Sequence, residues 1–239
     1  GSINVVIGSL EMTNEKPIVG DVTMPTSAEI KERIKGAFYT QNRAVTKQDY
    51  INLTYKMPSI FGSIKRCNIL RDSESMKRNL NLYVISEASA GTLVETNQSI
   101  KENLRVWLNK NRMINDTVDI LDAKIVNFGI EFKVLGDLQT SRFDILDNSV
   151  EAVQEYFRDY HFDIGEPLTV SDIYKVLREV DGVIDVIDLE IVEKSGGIYS
   201  DITYNIRDNF SADGRVLFVP KNVILEVKSP LEDVKGSIT

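Results

Sequence analysis

The sequence has very few of the residues that build disulfides and metal centres. Among 239 residues there is one cysteine, Cys67, and one histidine, His161. A single cysteine can form neither a disulfide within the chain nor a zinc site made of several thiolates. The apolar runs are only a few residues long, so no segment fits a transmembrane helix. Glycine-rich phosphate loops and the G-x-S-x-G nucleophile motif are missing as well. The sequence therefore predicts no cofactor and no metal.

Positive charge is also in deficit, with 28 basic against 36 acidic side chains and a formal net charge of −8. The basic residues are scattered among acids, so no patch suited to a phosphate backbone is expected. We therefore predict no binding of nucleic acid, and none to membranes. The composition, 42% apolar and 27% charged, is that of a globular chain with a sizeable core.

The opening stretch, GSINVVIGSLEM, has no initiator methionine and no pattern of a signal peptide. We interpret the chain as a piece of a longer protein. Residues 3–7 predict a short strand, and residues 1–25 as a whole predict a strand and linker that continue from a missing upstream region.

One pattern occurs twice, 123 residues apart. Residues 45–57 read VTKQDYINLTYKM and residues 168–180 read LTVSDIYKVLREV. In each copy a threonine (Thr46, Thr169) is followed three residues later by an aspartate (Asp49, Asp172), which is typical of a helix-capping box. Each copy also follows another helix, beginning near Ser27 or near Asn148 and Ser149, and precedes a strand. The pattern indicates an internally duplicated helix–helix–strand unit; a chance match of two common helix starts is the alternative.

The coarse periodicities predict an α+β fold with mostly antiparallel strands and packed helices. Strict alternation of apolar residues over 128–134 predicts a strand with one buried face. Further strands are predicted over 183–192, 202–206, 215–219 and 223–227, with a tight turn at Asp213-Gly214. We expect a first α+β domain over residues 26–145 and a second over 146–239.

The acidic and histidine residues do not form a convincing reactive group. His161 follows a predicted helix, where a histidine is favoured by the helix dipole. Asp181, Asp185 and Asp188 lack the spacing of a calcium loop and fit the wet face of a strand. The chain is therefore not predicted to be an enzyme. A pair of carboxylates that meet only in the folded chain, as in a carbohydrate hydrolase, stays open as an alternative.

The aromatic segment after Gly196 is the best candidate for a contact surface. Tyr199, Ile202, Tyr204 and Phe210 lie in a stretch rich in Gly, Asp and Asn, and we predict them as interface residues. The same residues fit core packing equally well. A strip of this kind would also suit a carbohydrate-binding module.

Two stretches resemble a known family, the baseplate J-like proteins of contractile phage tails. The first is AVTKQDYINLTYKMPSIFGSIKRCNIL, residues 44–70, with its A-V-T-x-x-D-Y helix, hydrophobic turn and strand. The second is residues 149–192, with Y-x-x-x-x-x-x-I-G, a capped helix and G-V-x-x-V. The resemblance covers about residues 26–230.

The resemblance implies a structural role in the virion rather than a reaction. Proteins of this family join neighbouring wedges into a ring around the tail hub, through homodimeric contacts and contacts with other wedge proteins. It thus implies location in the tail baseplate after assembly in the host cytoplasm, and rearrangement when the tail contracts. No catalytic residue is carried over from the family.

Overall fold

The computed structural model describes residues 26–40, 43–72, 79–88, 91–137 and 139–239, and the strand predicted over residues 3–7 lies outside them. The helices of these ranges are α1 (Ser27–Thr40), α2 (Lys47–Tyr55), α3 (Gln98–Asn109), α4 (Arg142–Asp159), α5 (Val170–Arg178) and α6 (Pro230–Asp233). The strands are β1 (Arg66–Arg71), β2 (Asn79–Glu87), β3 (Leu93–Val94), β4 (Thr117–Asp122), β5 (Lys124–Gly136), β6 (Leu168–Thr169), β7 (Val183–Lys194), β8 (Val216–Leu217), β9 (Val223–Glu226) and β10 (Val234–Ile238). Short 3-10 turns occupy Ser59–Phe61 and Arg207–Asn209. The predicted α+β class is confirmed, with about 34% helix, 31% strand and sheets rich in antiparallel pairs.

The first sheet is built around β2. β1 pairs antiparallel with one side of β2 and β4 pairs parallel with the other, while β3 pairs with its last residues. The chain reaches β4 through α3, because a parallel neighbour needs a crossover rather than a tight turn. Helices α2 and α3 bury their apolar faces on this sheet. We call the resulting cluster the first core; its larger members are Tyr50, Leu53, Ile69, Leu82, Ile100, Leu104 and Leu108.

The second sheet is built around β5, the longest strand of the described residues. β7 pairs antiparallel along one side, and β9 and β10 pair parallel, one after the other, along the other side. The predicted alternation is confirmed at the end of β5, where Phe132 and Val134 are buried and Glu131 and Lys133 are exposed. Helices α4 and α5 complete the second core, which includes Phe128, Ile130, Val153, Phe157, Ile173, Leu177 and Leu225.

A single extended segment joins the two sheets. Only Ala123 separates β4 from β5, and its N–H donates to the carbonyl of Val84, 3.0 Å away. Residues 117–136 therefore run from one sheet into the other without a loop. The division into domains at residue 145 stays a prediction.

Both copies of the repeated pattern fold as helix, helix, strand, namely α1–α2–β1 and α4–α5–β7. The capping box at the first copy is confirmed: the Asp49 N–H donates to Thr46 Oγ1 at 3.2 Å, and the Thr46 N–H donates to Asp49 Oδ2 at 2.8 Å. The copies differ in strand pairing. The antiparallel partner of β1 is the next strand, β2, whereas the partner of β7 is an earlier strand, β5, which lies before α4 in the chain.

The capping box predicted at the second copy is wrong. Thr169 precedes α5, but its side chain makes no capping hydrogen bond. It lies instead in β6, opposite Val216, and the N–H of Val170 donates to the carbonyl of Arg215 at 2.8 Å. The strand pairing therefore satisfies one of the backbone N–H groups that the start of a helix leaves without an intrahelical acceptor.

The start of one helix and the presence of one strand also differ from the prediction. α4 begins at Arg142 rather than near Ser149, which is buried within the helix and donates its hydroxyl to the Ile145 carbonyl at 2.7 Å. A serine bonded in this way, four residues back, is satisfied inside a helix. Residues 202–206 form no strand. The tight turn is confirmed, with Gly214 at a φ of 67° and its N–H donating to Ser211.

Candidate functional site

The four predicted interface residues lie beside the second core and are all partly buried. Ile202, Tyr204 and Phe210 pack against that core, and the Tyr204 hydroxyl donates to the Phe218 carbonyl at 2.7 Å. Tyr199 is fixed separately. Thus the structure brings three of the four residues onto one core and holds the fourth through a polar contact.

Tyr199 is tied to α6 by a hydrogen bond. Its hydroxyl donates to Asp233 Oδ1 at 2.6 Å, and this bond, followed by desolvation, raises the pKa of Tyr199 to about 12. The more exposed apolar side chains of these two segments are Ile198, 59% exposed, and Leu231, 77% exposed. Sequence reasoning missed both, because a lone apolar residue in a turn or in a helix of one turn carries no periodic signal.

The first sheet meets the second core partly through apolar side chains, since Ile85 belongs to that core and Leu93 packs against it. Polar contacts lie along the same boundary, and we call this polar part the seam. Arg66, at the start of β1, is its main cation, with a side chain only 8% exposed. Its Nη2 lies 2.6 Å from Glu29 Oε1 on α1, and its Nε lies 2.8 Å from Asp163 Oδ1 in the loop after α4. The second contact is electrostatic, since Nε makes no hydrogen bond. One guanidinium therefore joins α1, the first sheet and the second half of the chain.

Two more side chains cross the seam by hydrogen bonds. The Asn68 amide, on β1, donates to the carbonyls of Ile164 at 3.0 Å and Lys221 at 3.1 Å. Glu226, at the end of β9, accepts from the Leu93 N–H at 2.6 Å and from Asn127 Nδ2 at 2.8 Å. Burial raises the pKa of Glu226, although both hydrogen bonds oppose the change. These contacts fix the position of the first sheet relative to the second.

A buried ion pair lies close to the same boundary. Lys65 Nζ is 3.2 Å from Glu87 Oε2, and the two side chains are 7% and 1% exposed. Removing one partner of such a pair leaves an uncompensated buried charge, which is strongly destabilising. The pair therefore has a structural explanation that needs no ligand.

A cleft of about 320 Å³ opens at the seam, lined by residues from both halves that include Lys65, Leu93, His161 and Glu226. Glycosidases need two carboxyl groups about 5–5.5 Å or 6.5–9.5 Å apart. Among the described residues that line this cleft, Glu226 supplies one carboxylate, and both its oxygens already accept hydrogen bonds. Glu226 therefore has the arrangement of a structural carboxylate that links β3 to β5.

Three other residues that could carry chemistry, Cys67, Asp185 and Asp188, are accounted for by burial or by contacts within the fold. Burial raises the pKa of the Cys67 thiol to about 12, so the reactive thiolate is disfavoured. Asp185 pairs with Arg178 at 2.8 Å, and Asp188 accepts from the N–H of Leu189 at 2.9 Å. His161 is exposed at the mouth of the cleft.

No group of three or more His, Cys, Asp or Glu side chains is arranged to hold a metal ion within the described ranges. Of the helices in those ranges, none combines the length and the apolar character needed to cross a membrane.

Comparison with known proteins gives a structural likeness. No family model and no curated protein matches the sequence. The fold is similar to a chain in the structure described as "Cryo-EM structure of the anti-feeding prophage (AFP) baseplate, 6-fold symmetrised", with a TM-score of 0.53 and 9% sequence identity. The match covers 86% of this chain and 42% of that chain. At this identity the likeness establishes a shared fold, and the present chain spans less than half of its neighbour.

Proposed function

We propose that the chain is a structural component of a contractile phage tail baseplate and acts through protein–protein interfaces. The observation that carries the proposal is the fold shared with a chain of the anti-feeding prophage baseplate over 86% of this sequence. The motifs of residues 44–70 and 149–192 also resemble those of baseplate J-like proteins, which belong to the same class of protein.

The finer proposal is a wedge protein, corresponding to the C-terminal half of that component in T4-like phages. In this role the chain joins neighbouring wedges into a ring and contacts other wedge proteins. It forms homodimers and takes part in rearrangement on tail contraction. Two cores joined by an extended segment and a polar seam offer at least two separate surfaces, which ring building requires. The segment with Tyr199, Ile202, Tyr204 and Phe210 is the proposed contact.

Self-association of the full chain tests the finer proposal. Light scattering behind size-exclusion chromatography, over a range of concentrations, should give a species near twice 27.0 kDa. The double variant Ile198→Asp/Leu231→Asp should shift it to monomer, because both side chains are exposed beside Tyr199. Val106→Asp, at another exposed apolar position, is the matched control. A strict monomer at high concentration would count against homodimerisation through this part of the chain.

A carbohydrate hydrolase is the alternative that an activity assay can separate. Incubation with cell-wall polysaccharides should release no reducing sugar. Turnover that disappears in Glu226→Gln would favour the hydrolase, since Glu226 is the cleft carboxylate with a raised pKa.

A further inference from the structure

Helix α1 presents its apolar stripe to solvent. Ile30, Ile34 and Phe38 recur every four residues, the spacing of one helical face that a core would normally cover. Their side chains are nevertheless 43%, 64% and 80% exposed. The helix thus has its apolar side outward, the reverse of the usual arrangement on a globular surface.

Polar contacts on the opposite side fix this orientation. Glu29 is bonded to Arg66 at 2.6 Å, and the Arg33 guanidinium lies 4.7 Å from the centre of the Tyr55 ring, a cation–π distance. Glu29 also closes a capping box with Thr26 at the helix start. Rotating α1 to bury its stripe would break these contacts, so the stripe is held outward by the fold.

The rim of the stripe is positively charged. Lys31 and Lys35 each follow one of the two stripe isoleucines, and both are exposed. In a chain of net charge −8 this is a local reversal of sign. A second copy of α1 laid on the first would bring lysines close to lysines, which disfavours self-pairing.

We propose that this face of α1, defined by Ile30, Ile34, Lys31 and Lys35, docks an amphipathic helix of a partner protein whose apolar stripe is bordered by acidic residues. Helix-in-groove and helix-on-helix docking use anchors at this spacing. This face is a second contact surface, remote in sequence from Tyr199. It rests on the proposed function only in taking the partner to be another component of the assembly.

Thiol footprinting of the full chain tests the proposal. In Ile34→Cys the new thiol should react rapidly with a maleimide, whereas Cys67 is buried and gives little background. A synthetic amphipathic helical peptide, with leucines bordered by glutamates, should slow this labelling severalfold. The same peptide with lysines in place of glutamates should not. Ile114→Cys, at a 98% exposed position, is the control that neither peptide protects.

Peptide affinity, measured by fluorescence anisotropy, gives the second readout. Ile30→Ser should weaken binding of the acidic peptide about tenfold, the loss expected for one buried aliphatic anchor. Val106→Ser, which changes an exposed valine on α3, should leave it unchanged. Equal protection by both peptides would overturn the proposal. So would an unreactive Ile34→Cys thiol in the free chain, which would mean that the chain covers its own stripe. Protection that grows with protein concentration alone would assign the face to a second copy instead. Each result is independent of dimerisation near Tyr199.

Discussion

At the scale of single residues, Thr46 shows how a local sequence signal becomes a measurable contribution to stability. Its side chain and that of Asp49 satisfy each other's backbone N–H groups at the start of α2. Thr46→Ala removes one acceptor and should lower the free energy of unfolding by about 1 kcal/mol. Urea unfolding followed by the fluorescence of Trp107, whose indole donates to the Leu53 carbonyl of α2, measures the change.

The matched control is the threonine at the corresponding position of the second copy. Thr169 makes no capping hydrogen bond, so Thr169→Ala should cost clearly less than Thr46→Ala. Equal losses for the two variants would mean that the capping bond at Thr46 contributes nothing beyond the loss of a methyl and a hydroxyl group.

Glu226 gives a prediction of pH dependence. Its pKa is raised above the ordinary value of 4.5, so the folded chain holds this proton more tightly than the unfolded chain. The stabilisation of the folded chain by this proton is therefore fully present below pH 4.5, and it is lost as the pH rises through the folded-state pKa. Glu226→Gln should not show this loss, because glutamine does not titrate. As the pH rises, the free energy of unfolding of the variant should therefore increase relative to that of the wild type.

Chemical denaturation at a series of pH values measures that difference. Asp201→Asn removes an exposed carboxylate in the same half of the chain and is the control for the loss of one negative charge. A Glu226→Gln curve parallel to the wild type in this pH range would show that Glu226 does not titrate differently on folding.

At the scale of elements, β7 is an edge strand that carries its own protection against pairing. Its register with β5 shifts twice, so that Ile184 and Ile187 have no partner residue on β5. Beside these irregularities, Asp185 accepts from the Val186 N–H and Asp188 from the Leu189 N–H. Bulges and charges of this kind are the usual defence of a sheet edge against other chains.

Asp188→Val should therefore promote aggregation, because it frees the Leu189 N–H and removes a charge from the edge. Static light scattering during incubation at high concentration should rise faster than for the wild type. Asp201→Val makes the same chemical change in an exposed loop and serves as the control. Equal aggregation of both variants would assign the effect to lost net charge rather than to the edge of β7.

The elements also show how far sequence reasoning reaches. The helix at Thr46 was predictable, because its cap, its apolar face and its boundary all lie within a dozen residues. Thr169 carries the same local signal, yet β6 pairs with β8, some 48 residues further on, and a contact at that distance leaves no local pattern. The Arg66 contacts that join α1 to Asp163 were unpredictable for the same reason.

At the scale of the whole molecule, the two cores are joined by an extended segment and a polar seam. Residues 117–136 carry the chain from one sheet to the other, and Arg66, Asn68 and Glu226 hold the halves in register. The hydrogen bonds of the seam can be replaced by hydrogen bonds to water at small cost, since each contributes only about 0.5–1.5 kcal/mol net. We therefore expect that losing these bonds weakens the coupling between the two cores, while the apolar contacts of Ile85 and Leu93 with the second core remain.

Asn68→Ala tests this, because one amide supplies both bonds to the Ile164 and Lys221 carbonyls. We expect a loss of about 1 kcal/mol and a separation of two unfolding transitions that coincide in the wild type. Trp107 fluorescence reports the first core, since it is the chain's only tryptophan, and hydrogen exchange of β7 reports the second. Asn103→Ala breaks a bond to Phe61 within the first half and should keep the transitions together. Coincident transitions in Asn68→Ala would mean that the remaining contacts, including those of Arg66 and Glu226, are enough to couple the two cores.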